Sequence, residues 1–238
     1  SIIMKHTLLI KDWLSSFLSL LFPRCCVVCG RPLAKGEECI CTVCNINLPR
    51  TNYHLRKDNP VERLFWGQIP LERATSFFFY EKGSDFRLIL HRLKYGGQKE
   101  IGAIMGRYMA AELLSSNFFQ GIDVIIPIPL HKKKQQIRGY NQSEWIARGI
   151  AAVTGIPIDT ESILRKKNTE TQTRKSVFER RDNVEGIFEL QHPETLAGKH
   201  ILIVDDVLTT GSTTLACASC LVDVEDIRIS ILTLAMVE

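Results

Sequence analysis

Two neighbouring acids and a run of small hydroxylated residues follow the apolar stretch 201–204. The stretch predicts a buried strand, and the residues after it predict a turn that opens a helix. Such a turn presents backbone N–H groups, hydroxyls and the positive end of a helix dipole to an anion. Carboxylates there can accept hydrogen bonds from two vicinal ribose hydroxyls. The sequence therefore predicts a sugar-phosphate site formed by Asp205, Asp206, Thr209, Thr210, Gly211, Ser212 and Thr213.

Other interpretations of an apolar strand that ends in acids fit less well. A Walker B strand requires a phosphate loop of the form GxxxxGK[ST] elsewhere, and the sequence contains none. A phosphoaspartate enzyme of the DxDxT kind needs an acid at position 207, which is valine. An ordinary strand followed by a helix cap leaves both the paired acids and the hydroxylated turn unexplained.

The cysteine cluster is a second group of residues that could form a functional site. Cys26 and Cys29 form one pair with a two-residue gap, and Cys41 and Cys44 form another. This spacing is typical of a zinc knuckle, in which four thiolates complete a tetrahedral shell and leave no open position. Disulfides are the alternative, and the lack of a secretory signal in this sequence favours a structural zinc ion over them.

The elements that must position the sugar-phosphate site alternate between strand and helix. Strands are predicted at 74–80, 122–126, 201–204 and 227–234, and helices at 86–93, 101–114, after Asn141 and at about 213–221. This alternation predicts an α/β domain with a parallel sheet flanked by helices. Ligands bind beyond the carboxyl ends of the strands in such sheets, which is where the acids and the turn fall.

Length and composition suit one main domain with a small appendage. The chain has 238 residues, 45% of them hydrophobic, and a formal net charge of +4, too small to indicate nucleic-acid binding by itself. We expect an amphipathic helix over 1–24, a four-cysteine zinc knuckle over 25–49, a linker over 50–63 and the main domain over 64–238. The N-terminal apolar stretch is too short to span a membrane, so we expect a cytoplasmic protein.

The acidic segment resembles the PRPP-binding signature of type I phosphoribosyltransferases, and together with the cysteine pairs the chain resembles the ComF family of competence-associated proteins. The resemblance covers nearly the whole chain. Beyond the signature it includes Leu93 to Gly96, Pro127 to His131, Arg138 to Gln142, Gln172, Arg180 to Asn183, and Phe188.

The resemblance implies the type I phosphoribosyltransferase fold with a zinc-knuckle lobe at its N-terminus. It further implies that the turn holds the 5-phosphate of PRPP or of a nucleotide, that Asp205 and Asp206 hold the ribose and act as the catalytic acids, and that Mg²⁺ accompanies the pyrophosphate. A departing pyrophosphate needs basic residues near the strand ends. The basic candidates are Lys94, Lys132 and Arg138, and Tyr95 is a further candidate for binding PRPP.

Two further features bear on the reaction. The basic, hydroxyl-rich stretch 165–181 is predicted to be a flap that closes over the ligand, although its composition also suits a groove for single-stranded DNA. Purine-salvage relatives carry an acid three positions after the second carboxylate, and Thr209 stands there in this chain. Deprotonation of a purine by that route is therefore not expected, and the acceptor is left open.

The sequence supports two functions of different classes. The first is a phosphoribosyltransferase that acts on PRPP and has a role in DNA uptake. The second is a non-catalytic adaptor that handles single-stranded DNA in natural transformation, together with other competence proteins, and uses the nucleotide site for sensing.

Overall fold

The computed structural model describes residues 24–166 and 186–237. The chain divides into two compact units, Ser1–Leu48 and Pro49–Glu238. The amphipathic helix predicted over 1–24 lies almost wholly outside the described residues. So does most of the predicted flap, since residues 167–185 are not described.

The described part of the first unit is a small lobe built around cysteines. Its one helix, α1 (Thr42–Ile46), begins at Cys41, whose Sγ accepts a hydrogen bond from the backbone N–H of Cys44 at 3.4 Å. An isolated antiparallel bridge joins Cys25 to Pro32. A lobe of this size has little apolar surface with which to stabilise itself.

Residues 50–63, predicted to be a linker, belong to the second unit and pack against its first strand. They form a 3₁₀ turn (Tyr53–Leu55) and a short helix, α2 (Pro60–Arg63). Asn59, which caps α2, donates a side-chain hydrogen bond to the carbonyl of Ala74 at 2.9 Å. Thr51 and Asn59, two of the polar residues that indicated a linker, are buried and donate to backbone carbonyls of β1.

A parallel sheet of four strands in the order β1-β6-β5-β2 forms the centre of the second unit. The strands are β1 (Leu71–Tyr80), β2 (Val124–Pro127), β5 (His200–Leu208) and β6 (Arg228–Val237). Their continuous apolar runs are buried, as expected for a sheet covered on both faces. The predicted parallel α/β architecture is confirmed.

Strand β5 is longer than the sequence indicated. Its pairing with β6 continues past the apolar run, with Asp205 opposite Thr233 and Leu208 opposite Met236. Asp205 and Asp206 therefore lie inside the last part of the strand and not in the turn after it. Pairing with a neighbouring strand decided this boundary, and the local sequence carries no signal for it.

The helices flank the sheet, and two of them approach each other very closely. They are α3 (Arg87–Tyr95), α4 (Glu100–Leu113), α6 (Gln142–Thr154) and α7 (Ser212–Ser219). A Cβ on Gly106 of α4 would lie 2.3 Å from the carbonyl oxygen of Ile146, and one on Gly149 would lie 2.1 Å from that of Ala103. The backbones of α4 and α6 thus touch, which fixes the position of α6.

Two elements were not predicted. The lysine run after β2 forms α5 (Lys132–Arg138), with His131 as its N-cap and Gly139, at φ 83°, as its C-cap. An antiparallel hairpin of β3 (Ile163–Arg165) and β4 (Phe188–Leu190) brackets the residues that are not described. A second 3₁₀ turn covers Pro193–Thr195. Within the described ranges no helix has the length and apolar character needed to cross a bilayer.

Candidate functional site

The turn between β5 and α7 has the geometry of an anion-binding loop. Gly211 adopts φ 78°, a left-handed conformation that favours glycine, and α7 begins at the next residue. Fully buried Phe65 supports the turn, because its Cζ would lie 3.4 Å from a Cβ at position 211. The first N–H groups of α7 have no partners within the helix and carry the positive end of its dipole.

The two carboxylates of β5 are each held by specific donors. The Oδ1 of Asp205 accepts hydrogen bonds from the Ser143 hydroxyl at 3.0 Å and from the backbone N–H of Asp206 at 2.8 Å. The Oδ2 of Asp206 accepts one from Nε2 of Gln142 at 2.9 Å and lies 3.1 Å from Nζ of Lys94. Lys94 is therefore the cation that offsets the buried carboxylate of Asp206.

Burial and the charge of Asp206 give Asp205 unusual acid–base behaviour. Desolvation is the larger cause and the neighbouring carboxylate the next, and together they raise the pKa of Asp205 to about 7. Hydrogen bonds from Asp206 and Ser143 and the charge of Lys94 act in the opposite direction. Near neutral pH the carboxyl of Asp205 therefore exchanges a proton readily, and a ligand that needs it ionised must supply compensating donors or cations.

The run Arg138 to Gln142 ties together the elements that carry the site. The Tyr140 hydroxyl donates to the carbonyl of Leu93 at the end of α3, which places Lys94. Asn141 caps α6 through its Oδ1, and its amide donates to the carbonyl of Ile128 after β2 at 3.0 Å. Gln142 then reaches Asp206 from the first turn of α6.

The sequence-based site omitted Gln142 and Ser143. Gln142 was noted only as part of the family resemblance, and Ser143 not at all. An available signal was the capping asparagine at position 141, since it marks the start of a helix, and the first residues of a helix often face a ligand site in α/β folds. In the described part of the chain, Oε1 of buried Gln142 has no hydrogen-bond partner, and Gln142 lines the cavity beside the two acids.

Three adjoining cavities open at the carboxyl edge of the sheet. The central cavity, about 260 Å³, is lined by Asp205, Asp206 and the turn after them, and by Lys94 and Lys134. The cationic cavity, about 450 Å³, shares those two lysines and adds Tyr95, Ile137 and Arg138. The large cavity, about 580 Å³, shares Pro129, Leu130, Asn141 and Arg165 with the central one.

The predicted site residues distribute over all three cavities. Tyr95 and Arg138 line the cationic cavity, where the Arg138 guanidinium lies 5.5 Å from the centre of the Tyr95 ring. Lys132 lines the large cavity. Thr210 and Ser212 are exposed on the turn, with their hydroxyls 2.8 Å apart. The predicted site residues that line the central cavity are Lys94, Asp205, Asp206, Thr209, Gly211 and Thr213.

The four predicted metal ligands cluster in the first unit. The thiol sulfurs of Cys26, Cys29, Cys41 and Cys44 all lie within 4.8 Å of one another. Those of Cys29 and Cys41 are 3.7 Å apart, and four sulfurs at about 2.3 Å from a tetrahedral zinc ion would be about 3.8 Å apart. No disulfide joins cysteines among the described residues. The donor set and its spacing thus fit a closed zinc site.

Electrostatics in the cysteine cluster also favour a cation. Burial opposes ionisation of Cys26, but the backbone N–H groups of Cys29, Cys41 and Val28 lower its pKa to about 7. Burial and then the neighbouring thiols raise the pKa of Cys44 far above its usual value. The first thiolate therefore forms easily and the last only with difficulty, unless a metal ion offsets the accumulating charge.

Comparison with known proteins places the chain in a family, although no family model matches it. It is 32% identical over 206 residues to DNA utilization protein YhgH of Escherichia coli O157:H7. The match covers 80% of this chain and 87% of that protein. The chain belongs to the ComF family. Competence protein F of Haemophilus influenzae is 31% identical over 130 residues, which cover 53% of this chain and 57% of that protein. Competence protein ComFC of Bacillus subtilis is 26% identical over 216 residues, which cover 89% of this chain and 83% of that protein.

Membership of the ComF family, the parallel sheet and the acidic tip of β5 identify the type I phosphoribosyltransferase fold with an N-terminal cysteine cluster. Among solved structures, adenine phosphoribosyltransferase from Leishmania tarentolae is 12% identical, with 79% of this chain and 94% of that chain covered and a TM-score of 0.37.

The raised pKa of Asp205 predicts a stability effect that depends on pH. Because the folded-state value lies above the usual 3.8, the folded protein retains a proton that the unfolded chain releases, and stability falls as pH rises from about 4 to about 7. Asp205→Asn should therefore raise the free energy of unfolding by about 1–3 kcal/mol at pH 8 and by much less at pH 4. Urea titrations at both pH values measure this, with exposed Asp223→Asn as the control. If the free energy of unfolding of Asp205→Asn differed from that of the wild type by the same amount at both pH values, the raised pKa of Asp205 would be contradicted.

Proposed function

We propose that the central cavity binds the 5-phosphate and ribose of PRPP, or of a phosphoribosyl nucleotide, with Mg²⁺, and that the protein is a phosphoribosyltransferase. The observation that carries the proposal is the pairing of two partly or fully buried carboxylates with the glycine turn at the start of α7. Paired carboxylates and glycine turns each occur in many folds, whereas the two side by side are complementary to a sugar with a terminal phosphate.

The phosphate would lie on the turn Thr209 to Thr213. The left-handed Gly211 leaves the backbone without a side chain where an anion approaches, and the α7 dipole adds positive potential. The exposed hydroxyls of Thr210 and Ser212, which now bond to each other, are available as further donors. A phosphate on this turn would thus be held mainly by backbone N–H groups and hydroxyls.

The ribose would be held by the two acids. Ionised Asp205 and Asp206 accept from vicinal hydroxyls, and charge-assisted hydrogen bonds of this kind are the strong ones. The unpartnered Oε1 of Gln142 is a third acceptor beside them. Because Asp205 has a pKa of about 7, ribose binding should strengthen as the pH rises through neutrality.

The pyrophosphate would extend from the central cavity into the cationic cavity. Every charged residue that lines the cationic cavity is positive, and Nη1 of Arg138 is a buried donor with no partner in the described ranges. Lys94 stands at the junction, 3.1 Å from Asp206. These groups stabilise negative charge as the bond between the ribose carbon and the pyrophosphate breaks.

The donor set also fits Mg²⁺. This ion prefers oxygen ligands and binds through one or two carboxylates together with substrate phosphates. Asp205 and Asp206 supply the carboxylates beside the place assigned to the phosphates. When bound, the ion would neutralise charge on the pyrophosphate.

The ComF relatives suggest the cellular setting. The names of these proteins refer to DNA utilization and to competence. We extend this to the present chain as a role in DNA uptake within the cytoplasm, with other competence proteins as partners. We also propose that Cys26, Cys29, Cys41 and Cys44 hold a structural zinc ion.

The first test is calorimetric titration with PRPP and Mg²⁺. The wild-type protein should bind, and Asp205→Asn and Asp206→Asn should each weaken binding by about 10–100-fold, because each removes a charge-assisted hydrogen bond. Exposed Asp223→Asn is the matched control and should bind normally. Asp205→Asn is expected to be at least as stable as the wild type, so its loss of binding cannot be attributed to unfolding. Failure of the wild type to bind PRPP would overturn the proposal.

A metal analysis tests the zinc site. Protein purified under reducing conditions should contain one zinc ion per chain, and Cys41→Ser should lose it together with the order of the lobe. Cys25→Ser, which alters an exposed cysteine outside the cluster, should retain the ion. Wild-type protein without zinc, or equal loss in both variants, would contradict the assignment.

A second candidate function is a non-catalytic adaptor for single-stranded DNA. The observation that favours it is the basic surface beside the large cavity: Lys132, Lys133 and Lys134 are exposed on α5, and Arg165 and Lys166 line the cavity with Lys132. Consecutive cations of this kind can track a phosphate backbone without reading its sequence.

Fluorescence anisotropy with an oligothymidylate measures this activity. If the surface binds DNA, affinity should fall as salt rises, and Lys133→Ala with Lys166→Ala should flatten the slope of log K against log salt by about 0.7 for each phosphate that is no longer neutralised. The control combines Lys199→Ala and Arg228→Ala, which remove equal charge at the amino ends of β5 and β6. No binding at low salt would eliminate the adaptor function.

A further inference from the structure

Lys94 lies where two cavities of the site meet. It lines the central cavity with the two acids, and it also lines the cationic cavity with Tyr95 and Arg138. Its Nζ lies 3.1 Å from Oδ2 of Asp206, the oxygen that also accepts a hydrogen bond from Nε2 of Gln142. Lys94 thus neutralises the same carboxylate that the proposed Mg²⁺ would bind.

The backbone of Lys94 is anchored, whereas its side chain is free to change partners. The Tyr140 hydroxyl donates to the carbonyl of Leu93, and the side chain of Leu93 is fully buried. These contacts hold the end of α3. The side chain of Lys94 is a flexible chain of four carbons with a rotatable ammonium group, and 21% of it is exposed. An ion pair that is not fully desolvated separates at lower cost than a buried one.

Lys94 and a metal ion exclude each other at Asp206. Mg²⁺ binds carboxylate oxygens at about 2.1 Å, so an ion on Oδ2 would lie no more than about 5 Å from Nζ of Lys94 in its present position. Like charges at that separation repel each other. The cationic cavity offers the displaced ammonium group a second partner, because the pyrophosphate is assigned to that cavity.

We propose that Lys94 is an internal counter-ion that competes with Mg²⁺ for Asp206 and turns to the pyrophosphate when the metal ion binds. The inference rests on the proposed function of the central cavity. Mg²⁺ takes over the charge of Asp206, and the released ammonium group joins the cations that face the leaving group. Lys94 therefore lowers the affinity of the site for Mg²⁺ alone and raises its affinity for PRPP.

Lys134 provides a matched control for Lys94. It lines the same two cavities and is exposed on α5. Within the described ranges Lys134 forms no ion pair with either acid, whereas Lys94 is paired with Asp206. Loss of the positive charge at either position weakens the attraction for pyrophosphate. Only at position 94 does it also remove a competitor of the metal ion.

Calorimetric titration of the full-length protein, with Mg²⁺ alone and with PRPP and Mg²⁺, tests the proposal. A pH of about 8.5 keeps most of Asp205 ionised. Lys94→Gln, which retains a neutral donor, should tighten Mg²⁺ binding by about tenfold and weaken PRPP binding by about tenfold. Lys134→Gln should also weaken PRPP binding. It should change Mg²⁺ binding by no more than about twofold, because a solvated charge acts weakly at a distance.

A double variant separates loss of a competitor from loss of structure. Lys94→Gln leaves the carboxylate of Asp206 without its cation, which costs stability. Lys94→Gln with Asp206→Asn removes both charges, so it should fold as the wild type does and show no gain in Mg²⁺ affinity. Thermal unfolding gives a second measurement, in which Mg²⁺ should raise the Tm of Lys94→Gln by more than that of the wild type.

The possible outcomes separate the two proposals. If Lys94→Gln binds Mg²⁺ no more tightly than the wild type, Lys94 does not compete for Asp206 and the inference is overturned. Tighter Mg²⁺ binding with unchanged PRPP affinity overturns the transfer of Lys94 to the pyrophosphate. Failure of the wild type to bind PRPP overturns the proposed function and this transfer together. The titrations with Mg²⁺ alone still decide the competition in that case, because they contain no PRPP.

Discussion

The structure of the main domain depends on how it accommodates two adjacent carboxylates at the end of a buried strand. Asp205 and Asp206 carry charge where the sheet excludes most water, and uncompensated charge there would be costly. Compensation comes from Lys94 at the end of α3 and from Gln142 and Ser143 at the start of α6. Each of these donors is itself held in place by packing or by a hydrogen bond. The acids therefore determine where two helices must end or begin.

The run Arg138 to Gln142 shows how a short segment can organise a site without contacting the ligand at every residue. Tyr140 anchors the end of α3, and Asn141 caps α6 and holds the segment after β2. The close glycine contacts between α4 and α6 then keep the start of α6 at a fixed distance from β5. Pre-organisation of this kind lets a site bind charged ligands with little rearrangement.

The arrangement divides the carboxyl edge of the sheet by charge. Around α5, a wholly cationic cavity lies on one side of the acids, and a cavity with both charge signs and apolar walls lies on the other. The cationic cavity suits a group with negative charge, whereas the mixed charges of the other cavity favour neither sign. The cysteine lobe follows a different principle, in which a metal ion would replace the apolar core that a lobe of its size cannot form.

The sequence by itself determined the features that depend on local pattern: the parallel α/β architecture, the acidic tip of β5, the glycine turn and the spacing of the cysteine pairs. Each follows from short-range periodicity or from chemistry that neighbouring residues share. Only the tertiary structure decided the length of β5, the helical state of the lysine run, the packing of residues 50–63 on β1, and the roles of Gln142 and Ser143. These depend on partners far away in the chain, such as β6 for β5 and Ala74 for Asn59, which no local pattern encodes. The distribution of Lys94, Arg138 and Lys132 over three cavities has the same origin, because the direction in which a side chain points is set by the element that carries it.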